Sequence, residues 1–491
     1  MPSEEGELRL LFVSAECAPL AKTGGLGDAV SGLAAALHEL GHDVRVALPL
    51  YRSIDRSRFG IEFLSPCCVH MGSGEENWVG IWRCVLASGV ECRLVDYERF
   101  YGRAGIYDEG GEAYGDNGWR FALLCKALLQ HCKDSGWIPD VVHGHDWSAG
   151  LCGLFLKTWD RILSPLSDVK TVFTIHNIGY QGKCHPSLLR YIGVGGEHFS
   201  ADGFEDHGAV NLLKAGINYA DAVTTVSPTH ARELLTSEGG HGMGPYLQRL
   251  SDSGRFCGIL NGVEDREWNP AEDRLIADRY DLSDLSGKKV CKKALQMELG
   301  LQPDDNVPLM GCVTRLVWQK GVELMRGSLH RAISGMNIQF ALLGSGERDA
   351  ENFFRWLEWE FPGRVAVRIG FSNELAHAIY AGSDLFLMPS LYEPCGLGQL
   401  YAMRYGAVPI VRSTGGLADT VEKYDEKTGL GIGFVFDDPT PQALHDTVGW
   451  AVSTWYDRPG HFQRLRTSGM SKRFPWSETA RQYLEVYESV L

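Results

Sequence analysis

The sequence predicts an α/β protein made of two doubly wound, Rossmann-like domains. Apolar runs of about four to eight residues alternate with segments of helical period, which is typical of parallel sheets covered by helices. This alternation is interrupted near 256–268 and then restarts, and 491 residues exceed what one hydrophobic core usually holds. We therefore expect a first domain at 1–256, a second at 257–470, and a terminal segment, 471–491, that packs back on the first.

The first domain begins with a βαβ unit. Residues 8–15 are predicted as a strand, 27–40 as a helix with apolar residues on one face, and 44–48 as the next strand. Later strands are expected at 141–143, 171–175 and 222–226, with helices at 121–132 and 209–219.

The second domain repeats the same pattern. Its strands are predicted at 307–313, 339–343, 365–369, 385–388 and 408–411. Helices are expected at 399–405 and, at the end of the chain, over 478–491, where the apolar residues again share one face.

Net charge restricts the partners. The chain carries 62 acidic and 47 basic side chains, for a net charge of −15. Such a balance disfavours broad binding to nucleic acid or to anionic membranes, so neither partner is expected. An anionic substrate would have to meet a local group of cations.

Cysteine usage and the amino terminus indicate the compartment. The 13 cysteines are scattered and form no Cys-x-x-Cys pair, which favours reduced thiols in a cytosol-like environment. The start, Met1-Pro-Ser-Glu-Glu5, resembles no export signal, and no apolar run is long enough to span a bilayer. Cytoplasm is expected, or plastid stroma if a transit segment has been removed.

The first candidate site is a glycine-rich loop between the first strand and its helix, Lys22-Thr-Gly24-Gly25-Leu-Gly-Asp28. Backbone N–H groups in such a loop can approach an anion at a helix amino terminus. The spacing matches neither a Walker loop nor a dinucleotide fingerprint. A tight connection remains the alternative, although Lys22 favours a ligand.

Polar residues also follow two further strands. His143-Gly-His145-Asp-Trp147 leaves one strand, and His176-Asn177 leaves the next, so both groups should lie at the same edge of the sheet. The residues near the two histidines form no ordinary zinc ligand set, and no metal is expected. His143 is open to a structural reading, whereas His145 is better read as a contact to a polar substrate.

Two cations follow the first strand of the second domain. Arg315 and Lys320 lie where open α/β sheets bind ligands, and their chemistry suits phosphate oxygens. Enzymes that use a divalent ion on a sugar nucleotide commonly carry an Asp-x-Asp triplet, which this chain lacks. The charge of a diphosphate should therefore be met by these side chains.

An acid motif follows a later strand of the same domain. Glu393-Pro-Cys395-Gly396-Leu397-Gly398 leads into a helix whose amides can hold sugar hydroxyls or a phosphate, with Glu393 beside the sugar. Cys395 has no activating base near it in the sequence, which disfavours a nucleophilic role.

Together these motifs resemble the glycogen and starch synthases of bacteria and plants, which are retaining glucosyltransferases of glycosyltransferase family 5. The resemblance spans nearly the whole chain and depends on motifs in a fixed order. They are Lys22-Thr-Gly-Gly-Leu26, Tyr114-Gly-Asp116-Asn117, His145-Asp-Trp147, His176-Asn177, Asn261-Gly262, Arg315-x4-Lys320, Glu393-Pro-Cys-Gly-Leu397 and Ser413-Thr-Gly-Gly-Leu-Ala-Asp419.

The resemblance implies a GT-B fold, with two Rossmann-like domains facing each other across a cleft. It also implies transfer of glucose from ADP-glucose to the non-reducing end of an α-1,4-glucan (glycogen, amylopectin or malto-oligosaccharides), with retention and without a cofactor. Lys22 and its glycines would line the nucleotide side, Arg315 and Lys320 the diphosphate, and Glu393 the reacting sugar. His145, Asn261 and the 395–397 backbone would contact glucose, while Tyr101 and Asp116 would shape the cleft.

One position departs from related enzymes, and the donor and acceptor are not specified by any motif. Related retaining glucosyltransferases carry a second acid eight places after the first, where this chain has Tyr401, as this synthase family also tends to have. Donor base and acceptor length depend on loops that carry no motif. A GT-B transferase that uses UDP-glucose or a small acceptor, and a catalytically silent glucan-binding protein, therefore remain alternatives.

Overall fold

The computed structural model describes residues 6–264 and 267–491, and the chain divides into two compact units. Unit 1 extends to Gly262 and resumes over Trp476–Leu491, while unit 2 is Val263–Pro475. Both divisions fall a few residues after the positions expected from the sequence. Residues 1–5, considered above for an export signal, and 265–266, inside the expected boundary, lie outside the described residues.

Unit 1 is built on a mixed sheet flanked by helices. The strands of unit 1, which include those of two smaller sheets (β6-β7 and β10-β12-β11), are β1 (Arg9–Val13), β2 (Asp43–Pro49), β3 (Glu62–His70), β4 (Glu76–Val85), β5 (Glu91–Asp96), β6 (Asp108–Glu109), β7 (Glu112–Ala113), β8 (Val141–His145), β9 (Lys170–Ile175), β10 (Lys183–Cys184), β11 (Glu205–Asp206), β12 (Ala209–Asn211), β13 (Ala222–Thr225) and β14 (Phe256–Gly258). Its first helices are α1 (Gly25–Glu39), α2 (Glu98–Tyr101), α3 (Asn117–Ser135), α4 (Leu151–Thr158), α5 (Leu188–Ile192), α6 (Leu212–Tyr219), α7 (Pro228–Leu234) and α8 (Gly244–Asp252).

The main sheet of unit 1 has the order β14-β13-β9-β8-β1-β2-β5-β4-β3. Strands from β14 to β5 are parallel, and β4 and β3 extend the sheet in antiparallel fashion. The chain passes from β1 to β2 on one side and from β8 to β9 on the other. The loops after β1 and β8 therefore diverge, which opens a crevice at the carboxyl edge of this sheet.

Unit 2 has a parallel sheet of order β17-β16-β15-β18-β19-β20. Its strands are β15 (Leu309–Val313), β16 (Gln339–Gly344), β17 (Val365–Ile369), β18 (Leu385–Met388), β19 (Val408–Arg412) and β20 (Phe434–Phe436). Its helices are α9 (Ser286–Leu299), α10 (Val322–Gly335), α11 (Arg348–Glu360), α12 (Asn373–Gly382), α13 (Gly398–Arg404), α14 (Gly415–Thr420), α15 (Pro441–Asp457) and α16 (Pro459–Ser471). Here the direction of winding reverses between β15 and β18.

The last helix, α17 (Trp476–Val490), belongs to unit 1. Tyr483 and Tyr487 are buried on its inner face. Gly32 on α1 leaves the space that the Trp476 ring occupies, because a side chain at residue 32 would overlap that ring. Aromatic side chains therefore hold α17 in unit 1, and the absence of a side chain at Gly32 makes room for one of them, Trp476.

One predicted helix begins later than expected. The sequence predicted a helix over 209–219, but Ala209–Asn211 forms β12, which pairs with β10 and β11. Asn211 then caps α6, since its side chain accepts a hydrogen bond from the Lys214 N–H (3.0 Å). A short strand followed by an N-cap therefore replaces the first turn of the predicted helix.

The state of the cysteines and the length of the helices are two further features of the described residues. None of the 13 cysteines, all within the described residues, is in a disulfide. Within the same residues, no helix has the length and apolar content required to cross a membrane.

Candidate active site

In unit 2, the residues predicted to act on a donor lie on two neighbouring loops. Arg315 and Lys320 follow β15, and Glu393 follows β18, which pairs with β15 in parallel. These are the strands between which the winding reverses. The two loops therefore flank the crevice where open α/β sheets bind ligands.

Glu393 and Lys320 form a direct ion pair. Lys320 Nζ lies 2.6 Å from Glu393 Oε2, and the Ser390 hydroxyl donates to the same oxygen at 2.8 Å. Glu393 is buried, and among the described residues no donor reaches its Oε1. One carboxylate oxygen is thus held in place, and the other is left for a ligand.

Arg315 differs from Lys320 in its surroundings. Its side chain is exposed, and among the described residues its guanidinium forms no hydrogen bond or ion pair. A planar fork of donors at a strand end suits phosphate oxygens. Within residues 6–264 and 267–491, therefore, no side chain pairs with this cation, and it can meet an anion.

The loop that carries Glu393 is tied to its neighbours through its backbone. Gln319 accepts from the Leu391 N–H with its carbonyl (2.8 Å) and donates from Nε2 to the Tyr392 carbonyl (3.3 Å). Arg412 Nε donates to the Ser390 carbonyl (3.1 Å). Gly321 (φ 71°) is required next to this loop, because a side chain there would overlap the Pro389 carbonyl.

The Ser413-to-Asp419 motif has a supporting role in this structure. The Gly416 N–H donates to the Glu393 carbonyl (3.0 Å), and side chains at Gly415 or Gly416 would overlap the carbonyls of Glu393 and Cys395. Gln399 Nε2 donates to the carbonyls of Cys395 (3.1 Å) and Gly396 (3.0 Å). These contacts hold the predicted 395–398 turn directly before α13.

In unit 1, the predicted histidines lie at the ends of β8 and β9. His145 Nδ1 and His176 Nε2 are 3.1 Å apart, and burial lowers the pKa of both imidazoles. His145 Nε2 is buried and has no hydrogen-bond partner among the described residues. A neutral ring whose second nitrogen has no partner among the described residues can hydrogen-bond a hydroxyl, and the substrate contact expected of His145 stays a prediction.

His143 supports the structural reading that the sequence left open. Its Nδ1 is 2.8 Å from the Tyr487 hydroxyl of α17, and its Nε2 is 2.6 Å from Thr174 Oγ1. Both ring nitrogens are satisfied, and the side chain is fully buried. The ring lies 4.1 Å from that of His145, so it packs behind the residue predicted to bind substrate.

Asp146 lies within the His145-Asp-Trp147 motif, but no role of its own was predicted for it from the sequence. Its Oδ1 accepts the backbone N–H groups of His176 (2.7 Å) and Asn177 (3.3 Å). The backbone of Asp146 has φ 57°, an uncommon value for a residue with a side chain. Asp146 thus positions the predicted pair after β9.

We predict that Asp146→Asn changes the pH dependence of stability. Burial raises the pKa of the Asp146 carboxyl from 3.8 to about 7, so the folded chain retains a proton that the unfolded chain has released. The free energy of unfolding should therefore fall between about pH 4 and 7, by up to about 1.4 kcal/mol per pH unit, and asparagine removes that term. Thermal midpoints of both proteins across this range test the effect, and parallel curves would contradict it.

The glycine-rich loop of unit 1 is partly satisfied by the protein itself. Lys22 Nζ lies 2.8 Å from both oxygens of Asp28. The N–H groups of Thr23 and Gly24 donate to Glu16 Oε2 (2.6 and 3.3 Å). Gly24 still has an open face, since no atom lies within 4 Å of the position a Cβ would take.

The remaining predicted residues of unit 1 differ in their burial and in their hydrogen-bond partners. Asp116 pairs with Arg103 (2.5 and 2.6 Å), and Asn117 accepts from Arg120 (2.6 Å). Tyr101 is fully buried, and its hydroxyl donates to the Arg120 carbonyl (2.7 Å), so any effect on a ligand would be indirect. Asn261 is buried in the segment after β14.

Across residues 6–264 and 267–491, no group of three or more histidine, cysteine or acidic side chains could hold a metal ion.

Comparison with known proteins identifies the family. Residues 9–249 match the family model for the starch synthase catalytic domain, and residues 299–462 match that for glycosyl transferases group 1. The chain is 42% identical over 488 residues to glycogen synthase 1 of Geobacter metallireducens, covering 99% of this chain and 96% of that one. It is 43% identical over 490 residues to glycogen synthase of Treponema denticola, covering 99% of each.

A solved structure shows the same architecture. The catalytic domain of starch synthase IV from Arabidopsis thaliana, bound to ADP and acarbose, matches with a TM-score of 0.90 at 35% identity over 99% of each chain. The chain therefore belongs to the glycogen and starch synthase family and has its two-domain α/β GT-B glycosyltransferase fold.

Proposed function

We propose that the protein transfers glucose from ADP-glucose to the non-reducing end of an α-1,4-glucan, with retention of the anomeric configuration. Glycogen, amylopectin and malto-oligosaccharides are the proposed acceptors. The observation that supports this function most strongly is the arrangement of unit 2. There Arg315, which pairs with none of the described residues, lies on the loop beside the Lys320–Glu393 pair. Family membership supports the same reaction, and the bacterial relatives favour a cytoplasmic location.

The donor diphosphate would be held by side chains of unit 2. Arg315 offers a fork of donors, and Lys320 offers a point charge already oriented by Glu393. As the bond between glucose and phosphate breaks, negative charge grows on the departing phosphate, and both cations stabilise it. Glu393 Oε1, which has no donor among the described residues, would face the glucosyl group.

Retention is proposed to proceed by attack from the face that the phosphate leaves. The departing phosphate then accepts the proton of the acceptor hydroxyl, so no second carboxylate is required. Tyr401 stands eight places after Glu393, where related retaining enzymes carry an acid. His145 would hydrogen-bond a sugar hydroxyl as a neutral ring, since burial lowers the pKa of its imidazole.

Phe371 is a candidate platform for the nucleotide base. It follows β17 at the carboxyl edge of unit 2 and is 90% exposed, which is unusual for a phenylalanine. β17 is two strand positions from β15, a separation of about 10 Å. A nucleotide whose phosphates lie at Arg315 could therefore stack its base on this ring.

We predict that Phe371→Ala raises the KM for the nucleotide donor by about tenfold, because base–aromatic stacking contributes about 1–3 kcal/mol. Turnover at saturating donor should change less. Trp359→Ala is a matched control, since it removes another exposed aromatic ring, on α11. An equal change of KM in both variants, or none in Phe371→Ala, would argue against base stacking.

The proposed function is tested by glucose incorporation into glycogen from ADP-glucose and UDP-glucose in parallel, each with EDTA. Incorporation from ADP-glucose at a rate that EDTA does not lower supports the proposal. Preference for UDP-glucose would favour the alternative donor. No incorporation from either, together with binding to glycogen, would favour a silent glucan-binding protein.

A further inference from the structure

The loop between β1 and α1 is held by a buried carboxylate that no sequence motif singled out. Glu16 is 3% exposed. Its Oε2 accepts the N–H groups of Thr23 (2.6 Å) and Gly24 (3.3 Å), and its Oε1 accepts the hydroxyls of Thr23 and Tyr107 (2.9 Å each). We propose that Glu16 is a positioning residue, which fixes the 22–25 loop in the shape that glucosyl transfer requires without contacting substrate.

The contacts show how the loop is shaped. A carboxylate has about four acceptor sites, and here four donors reach it. Two of these donors are N–H groups directly before α1, which begins at Gly25, so they are groups that an incoming anion would otherwise bind. Glu16 therefore acts as an internal anion for the loop. The open face of Gly24 and the half-exposed Lys22 side chain remain accessible.

The same carboxylate connects the loop to other segments at the carboxyl edge of unit 1. Tyr107, which donates to Glu16, accepts a hydrogen bond from Asn117 Nδ2 at its carbonyl (2.9 Å). The Tyr107 ring lies 5.7 Å from that of Trp147, in the segment after β8. Displacement of Glu16 would thus disturb three segments that carry predicted site residues.

Two conservative variants separate the reach of the side chain from its charge. In Glu16→Gln, the amide oxygen can take the place of Oε2 and accept both loop N–H groups. Its NH2 group can donate to the hydroxyls of Thr23 and Tyr107, which rotate to accept. In Glu16→Asp, the charge stays but the side chain is one methylene shorter, so the carboxylate withdraws from the N–H groups.

A positioning role predicts a definite order of activities. Glu16→Asp should lower kcat/KM for the donor by about a hundredfold, since a displacement of about 1 Å can cost that much. Glu16→Gln should lose about tenfold at most, because only the charge-assisted part of the bonds is lost. A larger loss in Glu16→Gln than in Glu16→Asp would overturn the proposal, because the effect would then belong to the charge of Glu16. Equal losses, or no loss in Glu16→Asp, would also overturn it.

A second readout does not depend on activity, whereas the kinetic test rests on the proposed function. The Lys22 side chain is half-exposed, so trypsin can report on the loop that follows it. Cleavage after Lys22 should be at least about tenfold faster in Glu16→Asp than in the wild type or Glu16→Gln, because local opening of the loop controls it. Cleavage elsewhere should be unchanged. Equal rates after Lys22 in all three proteins would overturn the proposal even if the protein proved to have another activity.

Discussion

Replacing Glu393 with glutamine is expected to lower turnover by about a thousandfold, the scale of losing one preorganised electrostatic contact in an active site. The carboxylate is buried, and it orients Lys320 at 2.6 Å, so the amide would leave that cation without its counter-charge. The glucosyl group would also lose the negative oxygen Oε1. Initial rates at saturating donor and glucan measure the effect, and glucan binding should change little.

Ser390→Ala is the matched control for this prediction. It removes the other hydrogen bond to the same oxygen (2.8 Å) but keeps the charge of Glu393 and its contact with Lys320. A loss of about ten- to a hundredfold is expected, because a hydrogen bond to a charged group contributes about 1.5–3 kcal/mol. Turnover by Glu393→Gln above a tenth of the wild-type rate, or equal losses in both variants, would contradict the assigned role of the carboxylate.

The parallel strands were predictable because their signal is local. Strands were predicted at 307–313, 365–369 and 385–388 from mainly apolar runs, and the structure has strands at 309–313, 365–369 and 385–388. The antiparallel extension through β3 and β4 was not predicted. Only some residues of these strands are buried, and Pro66 interrupts the apolar pattern. Such strands are recognised by their pairing with neighbours, which a single sequence does not reveal.

The candidate site was predictable where a side chain follows a strand. Arg315, Lys320, Glu393, His145 and His176 all lie at carboxyl edges of their own sheets, as the positions of their strands implied. Supporting residues were missed because their partners are distant in sequence. Arg412, for instance, donates to a carbonyl 22 residues away, and Tyr107 reaches Glu16 over 91 residues. Tyr101, expected to shape the cleft, is fully buried in the core of unit 1, where its ring packs.

Arg315→Ala is expected to lower kcat/KM for the nucleotide donor by about a thousandfold. Two unit charges at about 4 Å attract by about 4 kcal/mol at an effective dielectric of 20, which corresponds to that factor. The guanidinium has no ion pair or hydrogen bond among the described residues, so its charge is available to the diphosphate. The KM for glycogen should change little, because the contact is with the donor. Initial rates with each substrate varied in turn separate the two effects.

Two further variants determine whether charge alone explains the loss. Arg315→Lys keeps the charge but not the planar fork, so its activity should fall between those of the wild type and Arg315→Ala. Arg355→Ala removes an exposed cation that pairs with Glu351 on α11, and it controls for the change in net charge. Equal effects of Arg315→Ala and Arg355→Ala would reduce the role of Arg315 to a general electrostatic one. Unchanged turnover in Arg315→Ala would contradict its assignment to the diphosphate, and the charge of the leaving group would then have to be met elsewhere.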